Sequence, residues 1–313
     1  MLLGDPASPE VTRRSVDEGI GKATIAAKVR NALSFYRPLD SIPGIEIRCH
    51  GTTLYNSIYR FDAEVRSTEP HPCHRHSVHP MTPATTEDPT TLRHILARTT
   101  ALLLDFDGPI CSVFAGLAAH TVVTQLCLVL ADGGHGDPPI EIEKSDDPFE
   151  VLAYAAGLGD DEARYVNAAF TAHEVEAIAT AEPTPGGHDL IRAWSATGRP
   201  LVIVSNNSTI AIHAYLDLHD LRTHVTRVSA RTSPDPALLK PHPHLLTTAL
   251  TALNIAPAAA TFVGDSVTDI QAARAAGTMS IGYADKPRKR TELITAGADT
   301  VISTPTILTE QIT

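Results

Sequence analysis

The chain of 313 residues exceeds the usual size of a single domain, and its 43% hydrophobic and 19% charged residues are those of a folded, soluble protein. The formal net charge is −11, with 10 Lys+Arg against 11 Asp+Glu in residues 1–90 and 15 against 25 from residue 91 onward. That acidic excess argues against sequence-independent binding to nucleic acid or anionic membrane, both of which need Lys and Arg to neutralise phosphates, but leaves room for a small phosphorylated ligand. Cys49, Cys73, Cys111 and Cys127 form no CxxC pair and are too few for a disulfide framework. The opening MLLGDPASPE lacks the basic start and apolar run of a signal peptide, and no apolar stretch reaches the ~20 residues that span a bilayer. A protein of the reducing cytoplasm, without a membrane anchor, is the expectation.

In chain order, residues 1–66 suggest a helix from Val11 to Ser34 and a strand pair between Ile45 and Val65. Residues 67–90 are rich in Pro, Thr, Ser and His without apolar periodicity, which marks a linker. His71, Cys73, His74, His76 and His79 have donor types that suit zinc or nickel, although a solvated His-rich linker explains them as well. Residues 1–90 are therefore set apart as an N-terminal extension of unknown role.

From Thr91 the pattern becomes α/β. ALLLDF, PLVIVSNN, ATFVGD and TMSIGYA each read as a buried strand ending in polar residues, which predicts a Rossmann-like parallel sheet flanked by helices. Ligands of such sheets bind beyond the carboxyl ends of the strands, so Asp105, Ser205 and Asp265 can converge although distant in sequence. Between Cys111 and Glu182 the periodicity is helical, over Val113–Leu130, from Asp147-Pro148 to Gly157, and over Asp160–Ala181. The expected architecture is a core of residues 91–111 and 183–313, with an all-helical cap of residues 112–182 inserted after the first core strand.

Four polar clusters carry the chemistry. In LLLDFDGPI, Asp105 and Asp107 have one residue between them and repel each other unless a cation or proton offsets them, and Mg²⁺ is the hard, oxygen-preferring ion that does so. DxDG by itself also suits a turn or a calcium loop. VGDSVTDIQAARAAG repeats the strand-end placement with Asp265, followed by Asp269 at a helix start, where an N-capping role is the alternative. VIVSNNS puts Ser205 and the Asn206 amide at another strand tip, and LLKPHPHLL supplies Lys240 ahead of two prolines. A hydroxyl, an amide and a lysine are what the equatorial oxygens of a phosphoryl group need.

Taken in chain order, the four clusters resemble the haloacid dehalogenase superfamily, whose motifs are DxD, a strand-end Ser or Thr, a Lys and GDxxxD, over about residues 98–308. The resemblance implies that Asp105 is the nucleophile and a Mg²⁺ ligand. It implies that Asp107 is the general acid and then the base, with its carbonyl on the metal. Ser205 and Asn206 would hold phosphate oxygens, Lys240 would neutralise charge between nucleophile and phosphate, and Asp265 and Asp269 would serve the metal. Pro109 stands where the family usually has Thr or Val.

A carboxylate at Asp107 separates phosphatases from the dehalogenases and phosphonatases of the superfamily. The expected activity is hydrolysis of a small phosphorylated metabolite, with a sugar-phosphate mutase or a non-catalytic phospho-ligand binder as alternatives. The helical insertion resembles the cap of the phosphoglycolate phosphatase-like branch, and Lys144 and Arg164, its two basic residues, are candidate clamps for a second anionic group. Because the family core needs nothing before about Thr91, residues 1–80 are expected to be accessory, or even upstream sequence brought in by a misassigned start codon; a genuine small domain is the rival.

Overall fold

The computed structural model describes residues 2–4, 48–50, 89–135 and 138–312. The chain divides into two compact units, Met1–Pro80 and Met81–Thr313. In the first, β1 (Leu2–Gly4) pairs in parallel with β2 (Arg48–His50). The helix expected over Val11–Ser34, most of the strand pair and the His-rich linker lie outside the described residues.

The second unit opens with α1 (Pro89–Arg98) and β3 (Ala101–Leu104). Six strands form its main sheet in the order β10-β9-β8-β3-β6-β7. These are β6 (Leu201–Ser208), β7 (Arg227–Arg231), β8 (Ala260–Gly264), β9 (Met279–Tyr283) and β10 (Thr300–Ile302) around β3, and every neighbouring pair is parallel. A parallel sheet is covered on both faces, and β3 shows how the sequence meets that demand. Leu102 and Leu104 pack with Ile95, Leu190, Trp194 and Tyr215 on one face, while Ala101 and Leu103 pack with Leu246, Leu250, Phe262 and Ala272 on the other. Each fully buried leucine is worth about 1.5–3 kcal/mol, so the apolar run that predicted a strand also makes it the centre of the core.

The first face is supplied by α1, α6 (Gly187–Ala196), α7 (Thr209–Leu218) and α11 (Thr306–Ile312). The second is supplied by α8 (His244–Leu253) and α9 (Val267–Ala276). Beyond β9, α10 (Pro287–Ala296) leads to the edge strand β10. The edge strands β7 and β10 were not anticipated from the sequence. RVSAR and TVI carry no long apolar run, because an edge strand is buried by fewer neighbours.

Between β3 and β6 the chain forms a two-stranded antiparallel ribbon, β4 (Cys111–Ser112) with β5 (Glu182–Pro183). From this ribbon emerge α2 (Ala119–Asp132), α3 (Ile140–Glu143), α4 (Pro148–Leu158) and α5 (Asp160–Ile178). Val122, Leu126, Leu130, Val151, Leu152, Val166 and Phe170 give this insertion a core of its own. Asp147 caps α4 by accepting from the Phe149 amide at 2.9 Å, with Pro148 at the first helical position, as the sequence suggested. The first helix of the insertion starts at Ala119 and not at Val113, because Cys111 and Ser112 pair with β5 and the Val113 amide is drawn to Asp107. Among the described residues, no helix is long and apolar enough to cross a membrane.

Candidate active site

β3 lies between β6 and β8, so the residue that follows Leu104, the last of the strand, emerges at the middle of the carboxyl edge of the sheet. That residue is Asp105. Its amide donates to Val263 O at 2.8 Å, and the Phe106 amide donates to Asp105 Oδ1 at 2.7 Å, which fixes the carboxylate of a residue that is 6% exposed. Asp107 follows in the loop, where its Oδ1 accepts from the Val113 amide at 2.9 Å. Gly108 has φ +113°, and a Cβ there would come within 2.3 Å of Asp265 Cγ, so only glycine lets this loop approach the end of β8. Thr184 Oγ1 donates to Gly108 O at 2.5 Å and ties the same loop to the chain entering α6.

At the end of β8, Ser266 caps α9 in a reciprocal box with Asp269. Asp269 Oδ2 accepts from the amides of Asp265 and Ser266, both at 3.0 Å, and from Ser266 Oγ at 2.7 Å. Its Oδ1 lies 2.6 Å from Lys240 Nζ. Lys240 Nζ also pairs with Asp105 Oδ1 at 2.8 Å, so one ammonium bridges the carboxylates that follow β3 and β8. Asp269 is thus the third helical residue of a capping box whose N-cap is Ser266, in place of the N-cap that the sequence offered as one alternative, and it is also an ion-pair partner of Lys240, which the sequence did not suggest.

Ser205 and Asn206 lie near the end of β6. Ser205 is 1% exposed; its Oγ donates to Asn207 Oδ1 at 3.1 Å and accepts from the Asn207 amide at 3.3 Å. The Asn206 side chain is spent on the backbone of Lys240, accepting from its amide at 2.8 Å and donating to its carbonyl at 3.2 Å. Asp105, Asp265, Asp269, Lys240 and the Ser205–Asn207 turn are therefore linked by direct contacts. Lys144 and Arg164 are placed differently: both are exposed, and Arg164 bonds to Asp161 on its own helix.

The electrostatics are unbalanced. Four carboxylates (Asp105, Asp107, Asp265 and Asp269) face two ammonium groups, because Lys289 on α10 forms an ion pair with Asp265 and lies 3.6 Å from Asp285. Burial, aided by Asp269, raises the Asp105 carboxyl well above the usual range against the pull of Lys240. Burial also raises Asp107, opposed by the Val113 amide, and pushes Asp265 up to about 6, with Asp269 adding to it and Lys289 opposing. Burial works against the charge of Asp269 too, yet Lys240 and the Ser266 bonds hold it below the usual range. Carboxylate oxygens of Asp105, Asp265 and Asp269 lie within 4.8 Å of one another. This all-oxygen donor set carrying surplus negative charge fits a hard divalent cation.

Outside the insertion only Lys240 was singled out among the cations, and Lys289 was missed. The signal was present: it lies just beyond β9, at the same edge of the parallel sheet as the other strand-end residues. Glu174 and Arg231, a fully buried ion pair at 2.6 Å, were missed as well, since each sits in a stretch of ordinary helix or edge strand.

The family profile of the haloacid dehalogenase-like hydrolases matches residues 99–277, more than half of the chain. Phosphoglycolate phosphatase of Escherichia coli K12 is 38% identical over 94 residues, and the enzyme of the same name from Salmonella choleraesuis is 36% identical over 94. These matches cover 30% of this chain and 36% of each relative, so the chain spans about a third of the length of the curated relatives it matches. A predicted phosphatase from Clostridium acetobutylicum superposes with a TM-score of 0.52 at 18% identity, over 68% of this chain and 97% of that one, a likeness of fold. With the strand-end aspartates and the bridging lysine in place, the profile match shows that the chain belongs to the haloacid dehalogenase-like hydrolase family.

Proposed function

We propose that the protein is a Mg²⁺-dependent phosphatase that hydrolyses a small phosphomonoester through a phospho-aspartyl intermediate on Asp105. The observation that carries this reading is Lys240 held between Asp105 and Asp269 beside Asp265, in a cluster where four carboxylates, Asp107 included, face the ammonium groups of Lys240 and Lys289, a formal excess of two negative charges. Asp105, Asp265 and the Asp107 carbonyl would hold Mg²⁺, with Asp269 behind them; the ion would offset the negative charge of the phosphoryl oxygens beside these carboxylates.

Asp105 attacks phosphorus with one carboxylate oxygen, the bond from phosphorus to the ester oxygen breaks, and the leaving oxygen takes a proton from Asp107. Burial favours the protonated form of Asp107 that this step needs. Because Oδ1 accepts from the Val113 amide, the transferable proton belongs on Oδ2. The same carboxylate then takes a proton from water, whose oxygen attacks the phospho-aspartate, releasing inorganic phosphate and restoring Asp105. Lys240 neutralises charge on the phosphoryl group throughout, and the oxygens of that group are received by the Asn206 backbone N–H and by the Ser205 hydroxyl, which turns its one proton from Asn207 Oδ1 to the ligand.

The helical residues 112–182 act as the cap that shields this crevice and reads the leaving group, with Lys144 and Arg164 as candidate clamps. The 38% identical stretch makes phosphoglycolate the first substrate to test. In a screen of phosphomonoesters with Mg²⁺, phosphate release is expected for at least one substrate, silenced by EDTA and restored by Mg²⁺. Release that survives exhaustive chelation would overturn the metal-dependent reading.

A further inference from the structure

We infer that Glu174, a residue of the helical insertion, positions the phosphate-binding side of the site through its ion pair with Arg231; this rests on the phosphatase reading. Glu174 lies on α5 and is 0% exposed. Its Oε1 accepts from Asn207 Nδ2 at 3.1 Å, and its Oε2 accepts from the Ser208 amide at 3.1 Å and from Arg231 Nη2 at 2.6 Å. Arg231, the last residue of β7, donates from Nε to Asn206 O at 3.0 Å and from Nη1 to Asn167 and Thr171, with its guanidinium 4.6 Å from the Phe170 ring centre. Every guanidinium nitrogen is therefore engaged within the protein, which removes Arg231 as a contact for substrate phosphate.

What the pair holds is a break in the sheet. The β6–β7 register runs Ser205 to Ala230 and then Ser208 to Arg231, so Asn206 and Asn207 bulge out of the ladder. A bulge re-aims side chains and leaves backbone groups without ladder partners. Here the Glu174–Arg231 pair supplies partners to three successive residues: Asn206 through its carbonyl, Asn207 through its amide side chain and Ser208 through its N–H. Two of these residues orient the proposed phosphate contacts. Asn207 fixes the Ser205 hydroxyl, and Asn206 clamps the backbone of Lys240 on both sides. The insertion thus contributes to the phosphate side of the crevice as well as to the leaving-group side. A buried ion pair is no better for stability than well-packed apolar residues, so its value in this place is the geometry that it imposes on the bulge.

Glu174→Gln tests this, because it keeps the shape and removes the charge that holds Arg231. In the full chain, kcat/KM with a phosphomonoester and inhibition by inorganic phosphate are each expected to weaken at least about tenfold, the cost of loosening a charge-assisted hydrogen bond. The concentration of Mg²⁺ for half-maximal activity should stay within about twofold, since the network touches neither Asp105 nor Asp265 directly. If the wild-type protein hydrolyses phosphomonoesters and Glu174→Gln keeps both its kcat/KM and its phosphate inhibition while its Tm falls, Glu174 is merely structural and the inference is overturned. A wild-type protein that neither hydrolyses phosphomonoesters nor binds phosphate would overturn the phosphatase reading and this inference with it. Should Glu174→Gln fail to fold, Asn207→Ala decides: it cuts the link between Glu174 and Ser205 but spares the ion pair, and unchanged phosphate inhibition there would overturn the inference.

Discussion

On the β3–β8 side of Lys240, Asp105, Asp265 and Asp269 bring three carboxylates within 4.8 Å of one another, and burial raises two of them toward protonation. On the β6–β7 side, Ser205, Asn206, Asn207, Glu174 and Arg231 are as deeply enclosed, yet each has a partner and the charges cancel. The first side stores unfavourable energy that a cation can release, whereas the second is set before any ligand arrives. Such a division suits phosphoryl transfer, in which charge must be neutralised on the nucleophile's side while the acceptor geometry stays preorganised. Replacements on the two sides should therefore behave differently. Those on the carboxylate side should cost activity without costing stability, and those in the Glu174–Arg231 network should cost both.

The largest effect is expected from Asp105→Asn. It removes the nucleophile, so phosphate release should fall by roughly 10³-fold or more. It also removes a buried charge that the fold disfavours, so the Tm measured in EDTA should not drop, despite the loss of one partner of Lys240. Full turnover in the purified variant would end the proposed mechanism. Lost turnover with a Tm lower by many degrees would instead show that the carboxylate side contributes to stability as the other side does.

The pH dependence of the metal-free protein probes the same contrast at a smaller scale. Asp265 has a folded-state pKa of about 6 against 3.8 for an ordinary aspartate. Because that value is raised, the contribution of Asp265 to stability is complete below about pH 4 and is lost as pH climbs through about 6, by at most ~3 kcal/mol. In EDTA, wild type and Asp265→Asn should be equally stable near pH 4, and the variant should gain on wild type above pH 6; saturating Mg²⁺ should abolish the wild-type loss. Lys289→Met sharpens the test. Removing the ammonium should shift the loss to higher pH and, by freeing Asp265 from a competing cation, tighten Mg²⁺ binding by about tenfold in calorimetry. Weaker Mg²⁺ binding in Lys289→Met would show that this lysine supports the metal site and does not compete with it.

Legibility in the sequence follows the same division. Asp105, Asp265 and Lys240 stood out because each follows an apolar run or precedes proline, and DxDG and GDxxxD hold their carboxylates at short, fixed spacings. The central strands β3, β6, β8 and β9 were readable for a related reason, since a strand covered on both faces must be apolar throughout. Glu174 and Arg231 are 57 residues apart, on a helix and an edge strand, and nothing local marks them. Their meeting depends on how α5 docks against the β6 bulge, which is a property of packing. The place of Asp269 was hidden for the opposite reason: the residue satisfies a local capping rule, and only coordinates show that Oδ2 serves the box with Ser266 while Oδ1 faces Lys240.

The smallest effect is expected from removing residues 1–80. Both sides of the crevice are supplied by residues between Asp105 and Lys289, and the compact unit that contains them begins at Met81. The six-stranded sheet and its two covering helical layers also come from described residues beyond Pro89, so the apolar burial that stabilises the core lies within this unit. A chain beginning at Met81 should therefore stay soluble and keep kcat/KM and its half-maximal Mg²⁺ concentration within about twofold of the full chain, as for changes remote from a site. Aggregation would mean that residues 1–80 cover apolar surface of the core. Altered kcat/KM with an intact melting transition would instead give them a part in admitting substrate, and either result would end their reading as an accessory extension.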